Sequence, residues 1–269
     1  MHVSGLFLYP VKSLRGLAVP SAEIDPLGFV GDRRFMVVDE QGQFLTQRTL
    51  PRMALIETAL TARELILRTD QGSSCTVPLV ASTPAEIVPV RVWKSDGLLA
   101  EDCGADVAAW LSDFLRGPSR LVRIGESFTR PILKPGKARP GDIVNFADGY
   151  PFLVISEASL ADLNARLAVP LPMNRFRPNI VVTGIDAFAE DTWTRFQAGG
   201  ITFRAAGPCA RCVVTTTDQL TAERGKEPLR TLATYRRDPG DPTDVNFGQN
   251  LIHETKSGTL RVGAAVELL

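Results

Sequence analysis

Gly207-Pro208-Cys209-Ala210-Arg211-Cys212-Val213-Val214-Thr215-Thr216-Thr217 sets two cysteines three residues apart, between a turn and a β-branched run. Such a pair has three ordinary readings. A structural zinc site needs two further ligands, usually a second close pair of Cys or His. Cys75 and Cys103 are isolated, and the only histidines are His2 and His253. A thioredoxin-like dithiol places its first cysteine at a helix N-terminus, whereas residues 213–217 predict a strand. Plain buried thiols are the third reading. Arg211 makes the setting electropositive, which favours a thiolate, and a thiolate suits a soft or high-valent metal. Spacing alone leaves these readings open.

Around this stretch, most of the chain reads as short strands between turns. Residues 3–9, 35–38, 65–68, 87–92, 180–182, 201–204, 213–217 and 259–262 are rich in β-branched or aromatic side chains, and Gly, Pro, Asp or Asn often bound them. The 22 Gly and 19 Pro suit many turns and disfavour a helix bundle. Two segments have helical spacing instead. Val107, Trp110, Leu111, Phe114 and Leu115 share one face of a helix predicted over 104–116. Ser156 is a candidate cap for a second, carrying Leu160, Leu163 and Leu167. The Pro/Gly-rich stretch after the first helix predicts a boundary near 118–130.

Apolar residues make up 44% and charged residues 22%, as in ordinary soluble globular proteins. Thirty Lys and Arg balance thirty Asp and Glu, so no global field favours nucleic acid or an anionic membrane. Residues 1–9 lack the basic and long apolar regions of a secretory signal, and the longest apolar runs are too short to cross a bilayer. The expectation is a cytoplasmic, unanchored protein with reduced cysteines.

The cysteine stretch, read together with three other segments, resembles the MOSC domain proteins. Tyr9-Pro10-Val11-Lys12-Ser13, with Arg15-Gly16, is similar to the opening of the MOSC N-terminal β-barrel domain. Residues 174–180 and 244–250 are similar to the later motifs, and all four segments come in the family's order. The resemblance runs from about residue 3 to the last predicted strand and is nearest to the amidoxime-reducing branch. It implies a mainly β fold with a few helices (α+β): an N-terminal β-barrel-like domain over 1–120 packed on a MOSC β-barrel over 121–269. It also implies a molybdenum–molybdopterin cofactor in the crevice between them, and reduction of small N-hydroxylated compounds such as hydroxylamines, amidoximes and hydroxylated bases. Some bacterial relatives carry a C-terminal ferredoxin domain, whose four-cysteine motif is not found here. Electrons are therefore expected from a separate flavin reductase or a ferredoxin- or cytochrome-type protein. Neither nucleic acid nor membrane is an expected partner. A cofactor or sulfur carrier without turnover is the alternative.

Carried over residue by residue, the resemblance makes Cys212 the metal ligand and catalytic centre. It makes Lys12, Ser13, Arg34, Arg177, Asn179, Ala210, Arg211 and Asn250 cofactor contacts. Arginine suits such a site because it stays charged and offers paired donors to phosphate and pterin acceptors. Arg33 is expected to face solvent or pair with Asp32, and Pro178 to press Arg177 into an extended conformation. Asp148, Asp218 and His253 are candidate acids that spacing does not separate.

Overall fold

The computed structural model describes residues 1–81, 84–133 and 137–269. It is mainly β, with three short α-helices among its described residues. An eight-stranded sheet runs in the order Val266–Leu268, Arg195–Ala198, Ile201–Ala210, Asn246–His253, Phe152–Ser156, Ile180–Thr183, His2–Leu8, Leu17–Val19. Every neighbouring pair is antiparallel except Phe152–Ser156 with Ile180–Thr183. A parallel pair needs a crossover, and the helix Glu157–Ala165 lies within it. Phe152–Ser156 is buried along its whole length, as a strand covered on both faces should be.

The first strand lies next to the sheet's edge, between Ile180–Thr183 and the edge strand Leu17–Val19. Val3 lies opposite Val182 and Leu6 opposite Ile180. Ser21–Asp25 pairs with Gly258–Arg261. Residues 2–8 and 21–25 are therefore hydrogen-bonded to strands of the C-terminal half. The rest of the N-terminal half builds its own sheets. Phe35–Val38, Arg120–Arg123, Ser95–Asp102 and Ile87–Val92 form one; Glu57–Leu60, Glu64–Arg68 and Ser74–Pro78 form another. The helix Ala105–Leu115 buries Val107, Leu111 and Leu115 against Val11, Phe35, Leu65 and Val77, which is the apolar face its spacing predicts.

Ser156 caps the helix Glu157–Ala165, its Oγ accepting from Ser159 N at 3.0 Å. The strand expected at 213–217 does not form. Val213–Thr216 is instead a single 3-10 turn. Thr215 and Thr216 donate their hydroxyls back to the Cys212 and Val213 carbonyls at 2.9 and 2.8 Å. These local bonds compete with a ladder and override the β propensity of the run. Cys212, which precedes the turn, is left partly exposed rather than paired in a sheet.

The two halves are stitched beside this turn. The Gln47 and Gln219 amides exchange hydrogen bonds at 3.2 and 3.1 Å in the interior. Arg15 donates to the Gln219 carbonyl at 2.7 Å and Arg224 to the Gln47 carbonyl at 2.6 Å. Three of these bonds hold the segment carrying Arg48 against the segment that follows Cys212, and the Arg15 bond ties the loop after the first strand to it as well.

Candidate functional site

A cavity of about 1390 Å³ opens between the halves. The loop after the first strand contributes Lys12 and Ser13, the turn before Phe35–Val38 contributes Arg33, and turns of the N-terminal half contribute Arg48 and Trp93. Arg130, Asp148, Arg177, Asn179, residues 208–212 and Asn250 complete the wall. Among the described residues, eight basic side chains line it against three acidic ones, in a chain whose overall charge is zero. Four non-glycine residues on the wall, Ser13, Arg33, Trp93 and Arg177, hold φ between 45° and 66°. Each such residue costs on the order of 1–3 kcal/mol, a cost that persists where the surroundings over-determine the geometry.

Of the nine residues expected at the site, eight lie on this wall and Arg34 does not. The Arg34 guanidinium is held elsewhere, by Asp25 at 2.6 Å and the Phe29 carbonyl at 3.2 Å. Its neighbour Arg33 faces the cavity instead. The left-handed Arg33 backbone turns the preceding loop, so strand alternation cannot be extended back from Phe35. Arg33 Nη1 donates to Asp32 at 2.7 Å and to Asn179 Oδ1 at 2.9 Å. Pairing with Asp32 was expected; the cavity position was not. Arg177 departs from its expected extended form, with φ of 55°. It follows the 3-10 turn Met173–Arg175, still donating its N–H to Asn174 O, and its Nη1 reaches the Leu14 carbonyl at 2.7 Å.

Tyr9 is the hub for both arginines. The guanidinium carbons of Arg33 and Arg177 lie 4.5 and 4.2 Å from its ring centroid. Its hydroxyl donates to the Pro178 carbonyl at 3.0 Å and is pushed up to about 12, because burial outweighs the two neighbouring cations. A neutral ring face is what two close guanidiniums can share. Burial pulls Arg177 down to about 10, and among the described residues it has no carboxylate within ion-pair distance. Arg130 and Arg211 likewise form no ion pair among the described residues.

Arg130 organises the loop before Asp148. Its guanidinium donates to the carbonyls of Asn145 at 2.9 Å, Ala147, and Asp148 at 3.1 Å. Lys12 Nζ donates to the Phe146 carbonyl at 2.9 Å and pairs closely with Asp148, whose other oxygen takes Arg48 at 3.0 Å. Arg48 also lies beside Cys212. Burial lowers its affinity for the proton, but Asp148 and Cys212 more than offset this and hold it above the ordinary range. Burial would raise the Asp148 carboxyl, yet Lys12 and Arg48 outweigh it and keep it far below the usual carboxylate range. Asp148 is thus an ionised clamp on two cations, not a stored proton. The other two candidate acids lie off the wall: Asp218 pairs with Arg175 at 2.7 Å, and His253 is fully buried with Nε2 against the Asp25 carbonyl at 2.8 Å. Burial and Lys256 push His253 down to about 4.

Around the thiols, Arg211 donates from Nη1 to Cys209 Sγ at 2.9 Å and from Nη2 to the Phe176 carbonyl at 2.6 Å, leaving a buried Nε without a partner among the described residues. Asn250 clips the approach, its Nδ2 donating to the Gly207 and Pro208 carbonyls at 3.3 and 3.0 Å. Asn179 is nearly fully buried and spends its Nδ2 on the Phe7 carbonyl at 3.3 Å. Both amides therefore fix backbone and cation positions. No group of three or more Cys, His, Asp or Glu side chains converges on one point among the described residues.

Profiles of two families cover nearly the whole chain: the MOSC N-terminal beta barrel domain matches residues 1–118, and the MOSC domain matches residues 130–267. The chain belongs to the MOSC family. Mitochondrial amidoxime-reducing component 1 of Homo sapiens is 37% identical over 99% of this chain and 82% of that protein. The Mus musculus counterpart is also 37% identical, over the same shares of the two chains. Human mitochondrial amidoxime reducing component 2 is 35% identical over 98% of this MOSC chain and 82% of its own length. No described helix is long and apolar enough to cross a membrane.

Burial lowers Lys12 to about 8, with Arg130 and Arg48 pulling the same way and Asp148 opposing. Anion binding in the cavity should therefore weaken as pH rises through about 8, where Lys12 loses its charge. Sulfate, which does not titrate there, is the suitable probe. Calorimetric titration should show that inflection in the wild type and none in Lys12→Met. Because the folded value lies below the ordinary 10.5, the Lys12 contribution to stability rises as pH climbs from about 8 towards 10.5.

Proposed function

We propose that this chain reduces N-hydroxylated compounds with a molybdenum–molybdopterin cofactor seated in the cavity and Cys212 as the protein's ligand to the metal. The observation that supports this most is the Cys212 thiol on a wall whose Arg130, Arg177 and Arg211 have no carboxylate partner among the described residues. Burying cations unpaired is costly, and an anionic guest would offset that cost. The donor set fits the group as well. One thiolate cannot hold a metal alone, but it completes the coordination of a metal that arrives with its own sulfur donors. The orphaned Arg211 Nε gives the same wall a spare donor.

When bound, such a cofactor supplies two-electron removal of oxygen, turning N–OH plus two electrons and two protons into N–H and water. The protein's part is to hold and to orient. Arg33 and Arg177, locked over Tyr9, present positive charge to the phosphate and pterin. Lys12 and Arg48, clamped by Asp148, would offer a bound guest fixed donors. Lys12, lowered to about 8 by burial, is a cation that mildly alkaline solution can discharge. The electrons come from a separate flavin reductase or a ferredoxin- or cytochrome-type protein, and the substrates are small amidoximes, hydroxylamines and hydroxylated bases.

The test is to purify the protein from a host that makes the cofactor, measure molybdenum per chain and assay benzamidoxime with a reduced viologen. Near-stoichiometric molybdenum with amidine formation is expected. Loaded protein that leaves benzamidoxime and hydroxylaminopurine untouched would overturn the reductase reading.

A further inference from the structure

Trp93 lies on the cavity wall in a strained backbone conformation. It lies between Ile87–Val92 and Ser95–Asp102, in the two-residue turn that brings Val92 opposite Ser95. Its φ is 54°, in the left-handed region that two-residue hairpin turns normally fill with Gly or Asn. Here the largest side chain occupies it. The indole is 43% exposed and lines the cavity.

Its surroundings hold it as a platform. The Arg48 guanidinium lies 4.5 Å from the indole centroid, and Phe44 packs at 4.9 Å with its ring tilted by 59°. Ser95, at the other end of the turn, accepts from Arg130 Nε at 3.1 Å. That bond pins the hairpin to the same arginine that shapes the Asp148 loop. Arg48 in turn bonds Asp148 and lies beside Cys212. One guanidinium therefore separates an open aromatic surface from the thiol.

We infer that Trp93 is the surface on which a planar, π-rich substrate stacks, with its polar end directed past Arg48 towards Cys212. Trp93 thereby sets a preference for aromatic over aliphatic N-hydroxylated compounds. The inference rests on the reductase reading of this cavity. The physical reason is that offset ring–ring contact adds to the area an aromatic guest buries, and a guest without a ring cannot gain it.

Kinetics of loaded enzyme on benzamidoxime and on acetamidoxime, which has no ring, test this with Trp93→Ala and Trp93→Phe. Trp93→Ala should raise KM for benzamidoxime about tenfold with kcat little changed. KM for acetamidoxime should hold, and Trp93→Phe should restore most of the difference. An equal loss on both substrates would mean that the indole acts only by bracing Arg48, and the inference fails; no loss on either overturns it too. Calorimetric binding of benzamidoxime to the same proteins without electron donor needs no turnover. A wild type that binds benzamidoxime through Trp93 but reduces neither compound would count against the reductase reading alone. Unchanged affinity in Trp93→Ala would remove the stacking role itself.

Discussion

Cys212→Ser should yield folded protein that retains almost no molybdenum and reduces N-hydroxylated substrates at less than about one hundredth of the wild-type rate. Losing a partner outside the coordination sphere of a metal typically costs ~10–100-fold in affinity or activity, and loss of the protein's own ligand should exceed that. Serine is close in size, but its hydroxyl stays protonated where a thiol ionises, and it is a hard donor in place of a soft one. The fold should tolerate the change, because Cys212 is only partly buried and the following turn uses its carbonyl, not its sulfur. Cys209→Ser is the control. The Cys209 sulfur accepts from Arg211 at 2.9 Å, a bond that a serine oxygen can also accept. Its molybdenum content and rate should stay within a few-fold of wild type. Elemental analysis and a viologen-linked assay decide the point, and full activity in Cys212→Ser would remove it from the metal.

Asp32→Asn should produce the largest loss of stability at the site. Asp32 is completely buried and answers two donors, the Tyr9 N–H at 2.8 Å and Arg33 Nη1 at 2.7 Å, while its carbonyl accepts from Asn145. An asparagine can serve only one of the two donors through its oxygen and turns an NH₂ towards the other. Removing one partner of a buried ion pair costs about 3–5 kcal/mol. Arg33 is slightly open to the cavity, which argues for the lower end, or a fall in Tm of roughly 10 °C. Sulfate should stabilise the variant more than the wild type, because a bound anion can answer the stranded Arg33. A Tm within about 1 °C of wild type would show that Asp32 carries no such load.

Fold class was legible in the sequence because it rests on many short apolar runs and on four ordered motifs. Individual side-chain directions were harder. Arg33 and Arg34 are chemically alike, and only the left-handed backbone at Arg33 decides which one faces the cavity. The same applies to Arg177, where the proline that follows argued for an extended chain. Residues 213–217 have strong β propensity, but hydroxyls that return to nearby carbonyls are a local competitor that propensity does not weigh. Arg48, Arg130 and Trp93 lie outside any motif. They come together only because separate loops converge on Asp148, which no spacing in the chain announces. Lys12, Arg177 and Cys212, which do line the cavity, were singled out only by the family's motifs, since a single Lys-Ser turn or a Cys pair is otherwise commonplace.

The first strand is made early on the ribosome, but its partner at residues 180–183 emerges much later, and Gly258–Arg261, which pairs with Ser21–Asp25, later still. Such distant pairing slows folding, because chain entropy is lost before the contacts form. Residues 1–120 released alone would expose the edge of His2–Leu8 and half of the basic cavity. The basic cavity and the large sheet are therefore completed by the same late-emerging segments.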